Sequence, residues 1–313
     1  MLFRSSEFFN FDLSATAIGR GRMLAADIAV ANVQMSVMDI LEAGPELGTF
    51  DYIIAHGVYA WVPPTVREAL MQLVARLLSP RGVALVSYNA LPGCHIRRVV
   101  RDLAYAAARP FDDPDRRVAA ARAALNFHLS TWNRQEAAEA ALIGETERIL
   151  ARPDSVLVHD ELSDEWHPQF VSDVAARARA TGLEYLGDMQ LNLIAPAMFP
   201  GTFDAEASKL YGDDYVAIEQ ARDYKAARGF RTTLLVSAGA PIDRRFNSKQ
   251  LNGLWVDGRF ERVKADATDQ SFTWRAANGV EIGSADARLS RMCERLTAAW
   301  PQRSEEHTSE LQS

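Results

Sequence analysis

Cysteine is almost absent from this chain: Cys94 and Cys293 are the only two among 313 residues. Two thiols so far apart make neither a metal-ligand spacing nor a disulfide framework. The expected setting is a reducing cytoplasm, with no metal site. Long apolar runs are missing too. None approaches the roughly 18 residues that a membrane span needs. The first residues also lack the apolar core and small-residue cleavage site of a signal peptide, so no membrane partner is expected. Excess positive charge is absent. The formal charge is -7, which argues against nucleic acid as a partner, because phosphate binding rests on clustered Lys and Arg. There is no internal repeat and no low-complexity tract.

What is present is ordinary globular material, 48% hydrophobic and 24% charged. That suffices for a sizeable core in one large domain or two smaller ones. The two ends stand apart. Arg303–Ser313 reads RSEEHTSELQS, a polar stretch without periodicity that matches the translation of a common sequencing adapter. Met1–Ser5, MLFRS, resembles the opposite adapter. Both are set aside in reasoning about the fold, as a cloning scar would be.

Between the ends, strands and helices alternate. Glu7–Phe11 is a short apolar run, and Ala15–Ala29 follows with helical periodicity. Val33–Val37 alternates and is β-branched; Phe50–Ala55 is a buried-type strand. Pro63 and Pro64 open a helix over Thr65–Leu78, Pro80-Arg81-Gly82 reads as a turn, and Val83–Tyr88 is another strand. This order predicts a parallel, doubly wound α/β sheet. From Arg97 to about Leu150 the chain is Ala- and Arg-rich and reads as helices broken at Pro110 and Pro114. A helix over Phe170–Thr181, a strand over Leu183–Met189, a polar helix over Phe203–Arg228 and a strand over Phe230–Ser237 come next. After Pro241 a hairpin, Ser271–Ile282, and a helix, Ala285–Ala299, form a different unit. The expected division is 6–96, 97–182, 183–240 and 241–302.

In an open parallel sheet, ligands sit beyond the carboxyl ends of the strands. Asp12 and Leu13 close the first strand; a carboxylate there can accept both hydroxyls of a ribose. Asp39 and Ile40 follow the second, a pair suited to an adenine, with its amine on the carboxylate and its face on the apolar side chain. The third runs into His56-Gly57-Val58-Tyr59-Ala60-Trp61, where Gly57 permits close backbone approach. Taken singly, each Asp also suits a helix N-cap. Taken in order, they favour a nucleoside site. Tyr59, Trp61, Tyr88 and Asn89 are candidates for lining an acceptor pocket, with ordinary core aromatics as the competing reading. His159, Asp160 and Glu161 either face that pocket or cap the following helix, with the cap preferred.

The stretches FDLSATAIGRGR, SVMDI, FDYIIAHGVYAWVP and LSPRGVALVSYNALPG resemble strands two to five of class I S-adenosylmethionine-dependent methyltransferases. They are most similar to those carrying a methyltransferase regulatory domain. LVHDELSDEWHPQF and GLEYLGDM are similar to that regulatory segment. The resemblance implies a Rossmann-like sheet with a helical insertion after the fifth family strand and an antiparallel closing pair. It implies S-adenosylmethionine as cofactor, held by Asp12, Leu13, Asp39, Ile40, His56 and Gly57. Through its protein-lysine methyltransferase members it implies a protein substrate, and a partial winged-helix-like unit after Pro241. The family's first strand and its Gly-rich acidic motif are expected just before Glu7 and are not seen there. This chain is therefore expected to bind the cofactor weakly. A non-catalytic regulatory module, and an NAD-dependent oxidoreductase that would also use Asp12, are the competing functions.

Overall fold

The computed structural model describes residues 6–190, 201–244, 258–263, 272–277 and 279–300. The adapter-like ends, Met1–Ser5 and Arg303–Ser313, lie outside the described residues, as does Asn278 of the expected hairpin turn. The chain divides into two compact units, 1–243 and 244–313.

The first unit opens with strand β1 (Phe8–Asp12), helix α1 (Ala15–Asp27) and strand β2 (Val33–Val37). Ser14 starts α1 by accepting the Ala17 amide at 3.2 Å. β1 and β2 pair in parallel as a two-stranded sheet. A second sheet has the order β3-β4-β6-β5, where β3 is Phe50–Ala55, β4 Leu78–Asn89, β5 Leu183–Asp188 and β6 Phe230–Ser237. β3 and β4 are parallel, whereas β6 runs antiparallel to both β4 and β5. Among the described residues no ladder joins β1 to β3. The two sheets meet through side chains, with the Phe9 and Phe50 rings 6.5 Å apart. The antiparallel closing strand is the one the methyltransferase resemblance implies, and it argues against the nicotinamide alternative.

Helix α2 (Pro64–Leu77) begins with proline in its first turn and buries Leu70, Met71 and Val74 against β3 and β4. The turn expected at Pro80-Arg81-Gly82 is instead a bulge inside β4. Leu78 pairs with Phe50 and Val83 with Tyr52, so the intervening residues leave the ladder while the chain stays extended. A Cβ on Gly82 would lie 3.0 Å from the Phe50 carbonyl oxygen, so close backbone contact, not a reversal, explains that glycine.

The Ala- and Arg-rich block folds into α3 (Cys94–Ala108), α4 (Pro114–Thr131), α5 (Ala137–Leu150) and α6 (Asp154–Glu161). Val100, Ala104, Leu125, Ile149 and Leu157 form its own core. A strap over 162–170 leads into α7 (Val171–Ala180). The single helix expected over Phe203–Arg228 is two, α8 (Thr202–Tyr211) and α9 (Tyr215–Ala226), because Gly212 at φ +60 ends the first. Asp160 and Glu161 cap no following helix. They end α6 and pair with Arg97 and Arg152.

The second unit holds β7 (Phe260–Val263), β8 (Phe272–Ala276), β9 (Glu281–Ser284) and α10 (Ala287–Ala299). The strands form one antiparallel sheet in sequence order. No described helix of either unit is long and apolar enough to cross a membrane.

Candidate functional site

The carboxyl ends of β1, β2 and β3 border a cleft of about 440 Å³. At the end of β1, Asp12 Oδ1 accepts the Ser14 amide at 2.7 Å. Because Ser14 caps α1, Asp12 is not consumed as a cap. Beyond β2, Asp39 Oδ1 accepts the Leu41 amide at 2.9 Å. Neither carboxylate uses its second oxygen in a protein hydrogen bond among the described residues. Both line the cleft, together with Leu13 and Ile40. Ile53, Val58 and Leu70 give it an apolar floor. Among the described residues its only other polar side chains are Asn10 and Tyr52, and none of them brings a cationic side chain to it.

His56 and Gly57 lie at the end of β3, next to the cleft rather than in its lining, which takes in Ala55 and Val58 on either side. Gly57 adopts φ +74 and donates its amide to Ser87 Oγ at 2.8 Å. That left-handed backbone is why glycine suits the position. His56 is exposed, and its ring is 6.1 Å from that of Phe230, the first residue of β6.

Phe230 belongs to a second cavity, of about 630 Å³, walled by α3, α5 and the turn before β6. The turn is docked tightly on the start of α3. Gly93 donates its amide to the Arg228 carbonyl at 3.0 Å, and a Cβ there would lie 2.1 Å from the Ala227 oxygen. Asn89, Arg97, Glu145, Arg148 and Arg152 bring polar groups to this cavity. Cys94 also lines it, but burial pushes its thiol up to about 11, so it is no ready nucleophile.

The strap over 162–170 fixes the floor of this region. His167 donates its amide to the Ala60 carbonyl at 2.7 Å, Gln169 donates its amide to the Asn89 carbonyl at 2.9 Å, and Leu91 donates its amide to the Gln169 carbonyl at 2.9 Å. The Trp166 indole donates to Asn89 Oδ1 at 3.1 Å. Three guanidinium groups, those of Arg97, Arg98 and Arg101, lie within 5.7 Å of the Trp166 ring.

The structure sorts the four aromatic and amide candidates. Tyr59 and Tyr88 do not line an acceptor pocket. They are 0% and 1% exposed, stand in the main core with rings 6.0 Å apart, and line neither cavity. Burial raises both phenols, most strongly Tyr88, whose hydroxyl shares a hydrogen bond with Thr233. Trp61 is half-buried and packs toward the helical block, 5.2 Å from the His159 ring. Asn89 alone reaches a cavity. Arg97, Glu145, Arg148, Arg152, Trp166 and Phe230 were not legible as site residues. Their only signal was the Ala- and Arg-rich composition of the block, which says nothing of partners distant in sequence. Among the described residues no cluster of His, Cys, Asp or Glu could hold a metal ion.

Comparisons with known proteins accord with this arrangement. Residues 2–82 match the family model of a methyltransferase domain, and residues 153–237 that of a predicted methyltransferase regulatory domain. The chain is 29% identical over 252 residues to an uncharacterized protein of Rickettsia prowazekii, covering 80% of this chain and 45% of that one. A second uncharacterized protein of the same organism is 28% identical over 160 residues, covering 51% of this chain and 64% of that one. Among solved structures, PKMT2 from Rickettsia typhi in complex with AdoHcy superposes with a TM-score of 0.80 at 25% identity, over 97% of this chain and 60% of that one. The chain thus spans about half the length of the relatives it matches. Two matched stretches and a shared fold relate the chain to the class I S-adenosylmethionine-dependent methyltransferases that carry a methyltransferase regulatory domain.

Proposed function

We propose that this chain binds the nucleoside half of S-adenosylmethionine in the cleft of β1, β2 and β3, and that the whole protein transfers the methyl group to a protein lysine. The observation that carries the reading is the pair of carboxylates, Asp12 and Asp39, each with one oxygen tied to a backbone amide and the other unpartnered in one cleft. The residues present fit that half of the cofactor. Asp12 would hold the ribose hydroxyls, Asp39 the adenine amine, and Ile40 the face of the base. When bound, the cofactor supplies an electrophilic sulfonium methyl. An amine acceptor then needs alignment and a deprotonated nitrogen rather than elaborate acid–base chemistry. The exposed His56–Phe230 pair offers aromatic faces that tolerate a cation at this edge.

The fit is incomplete for the methionine half. With no cationic side chain among the described residues of the cleft and with apolar side chains over most of its walls, the carboxylate of the cofactor would lose its water without gaining a charged donor. Binding by the chain as it stands is therefore weak, and the non-catalytic alternative keeps this point in its favour.

Calorimetric titration of the full chain tests both parts. Adenosine and S-adenosylmethionine should bind with similar Kd, about 0.1–1 mM. Asp12→Ala and Asp39→Ala should each weaken both ligands by about tenfold or more. Unchanged binding in both variants refutes the nucleoside site. Micromolar binding of the cofactor, with adenosine far weaker, refutes the account of the methionine half.

A further inference from the structure

The second cavity carries chemistry that the nucleoside cleft does not. The side-chain groups of its polar lining that lack a protein partner are donors. A tryptophan N–H can only donate, so the Asn89 atom that meets Trp166 Nε1 at 3.1 Å has to be the carboxamide oxygen. That fixes the orientation of a side chain only 7% exposed and leaves its NH2 group without a protein partner, on a residue that lines the cavity. Arg97, also 7% exposed, spends Nε and one terminal nitrogen on Glu161 and Asp160 and keeps Nη1 free of hydrogen bonds. Arg148 binds Glu145 through Nε and Nη2, and Arg152 binds Asp160 through Nη1. Each of these two retains at least one further donor nitrogen without a protein partner. The single carboxylate in the lining, Glu145, has both oxygens occupied by Arg148.

Space is reserved beside these donors. Gly144 sits inside α5, where glycine weakens a helix. It lines the cavity, and a Cβ built on it would meet nothing within 4 Å. Ile96 and Phe230, 37% and 38% exposed, give the same cavity an apolar wall. The charges set the size of the ligand's own charge. Arg97, Arg148 and Arg152 are already matched by Glu145, Asp160 and Glu161, so the cluster is neutral, and a dianion would be poorly held. A single carboxylate on an aliphatic stem can use the free N–H groups without a large net repulsion.

We infer that this cavity is a carboxylate subsite for the acceptor, receiving an aliphatic acid, such as a glutamate side chain in an acidic peptide segment, beside the His56–Phe230 pair. The carboxylate is a handle and not the methylated atom. The assignment of the handle to the acceptor rests on the methyltransferase reading; the carboxylate binding itself does not.

Titration of the full chain, without cofactor, with three probes tests the subsite: a capped peptide Ala-Glu-Ala, its Gln counterpart, and butyrate, a free aliphatic monocarboxylate. The Glu peptide should bind about tenfold or more tightly than the Gln peptide. Arg148→Gln together with Arg152→Gln should abolish that preference. Gly144→Leu should fill the space and remove binding, and an unchanged or higher Tm would show that the fold survives. Butyrate binding as well as the Glu peptide means that the pocket reads the acid alone, which supports a carboxylate subsite open to free acids. Equal binding of Glu and Gln peptides, or full binding by Gly144→Leu, overturns the proposal. Binding of S-adenosylmethionine is measured separately, and its failure would refute the nucleoside site while leaving the carboxylate result intact.

Discussion

Strands β1 and β2 expose what strands β4, β5 and β6 bury. In α1, which covers the two-stranded sheet, only Ile18 is buried, while Met23 and Leu24, and Ile28 just after the helix, stay at least 60% exposed. On the other sheet Val86, Leu183, Tyr185 and Leu235 are essentially inaccessible. The carboxylates of the proposed nucleoside site, Asp12 and Asp39, lie on the loosely packed half, and the proposed acceptor cavity is built on the tightly packed one. On that proposal the protein puts its rigidity under the acceptor. The regulatory segment supplies α6, α7, β5, α8, α9 and β6, and its strap reaches Ala60 and Asn89 directly.

The largest test of this contrast is Arg231, fully buried at the start of β6. It donates to Asp223 through Nε and Nη2, to Glu219 through Nη2, and to the Tyr185 hydroxyl. Burial opposes its charge, yet Tyr185 and Asp223 hold it above the ordinary arginine range. Burial also pushes the Asp223 carboxyl above its usual range, with the Arg231 fork pulling it back only in part. Arg231→Met keeps much of the volume but removes the cation that Asp223 and Glu219 share, leaving Asp223 only Arg228 and Glu219 only Arg222. It should cost about 3 kcal/mol of stability, because removing one partner leaves buried carboxylate charge only partly compensated. Denaturant unfolding measures it. A loss under 1 kcal/mol would mean that the buried charges relax to water or protonate cheaply, and that the tight half is not held by this cluster.

Hydrogen exchange sharpens the comparison at the next scale. Amides of Val86 and Leu235, within the four-stranded sheet, should exchange at least about 100-fold more slowly than those of Asn10 and Met35, a gap of about 2.7 kcal/mol in opening free energy. Cofactor at saturating concentration should slow β1 and β2 and leave β4 and β6 unchanged. Equal protection of the two sheets without ligand would erase the contrast.

Much of the fold was legible because strands announce themselves by pattern. Val33–Val37, Phe50–Ala55 and Phe230–Ser237 coincide with the observed strands. Asp12 and Asp39 were legible for the same reason, since the residue that ends a parallel strand is known once the strand is. Tyr88 was not. β4 is buried on both faces toward its end, so alternation cannot say which side a residue takes. The break at Gly212 and the bulge at Pro80–Gly82 depend on a left-handed residue and on contact with Phe50, neither visible in local sequence. The second cavity was invisible, because Asn89, Arg97, Glu145 and Trp166 meet only through tertiary contacts.

The smallest expected effect is acid sensitivity of the helical block. Asp160 accepts from Arg97 and Arg152 at 3.2 and 2.8 Å and contacts His159 at 2.9 Å, with its side chain 22% exposed. Burial works to raise its carboxyl, but the His159 hydrogen bond and the two guanidinium groups outweigh it and hold it below the ordinary carboxylate range. The folded chain therefore binds this proton less readily than the unfolded one. The resulting stability is complete above the ordinary carboxylate range and is lost as pH falls through about 4 toward the lower folded value. Partial exposure limits it to about 1 kcal/mol. Thermal melting of the full chain between pH 3 and 6 should show Asp160→Asn slightly less stable at pH 6, with the two curves converging near pH 3. Other carboxylates held low, Asp204 among them, are common to both proteins, so the difference isolates Asp160. Parallel curves over the whole interval would show that this carboxylate titrates alike in both states and that the clamp on α6 contributes nothing.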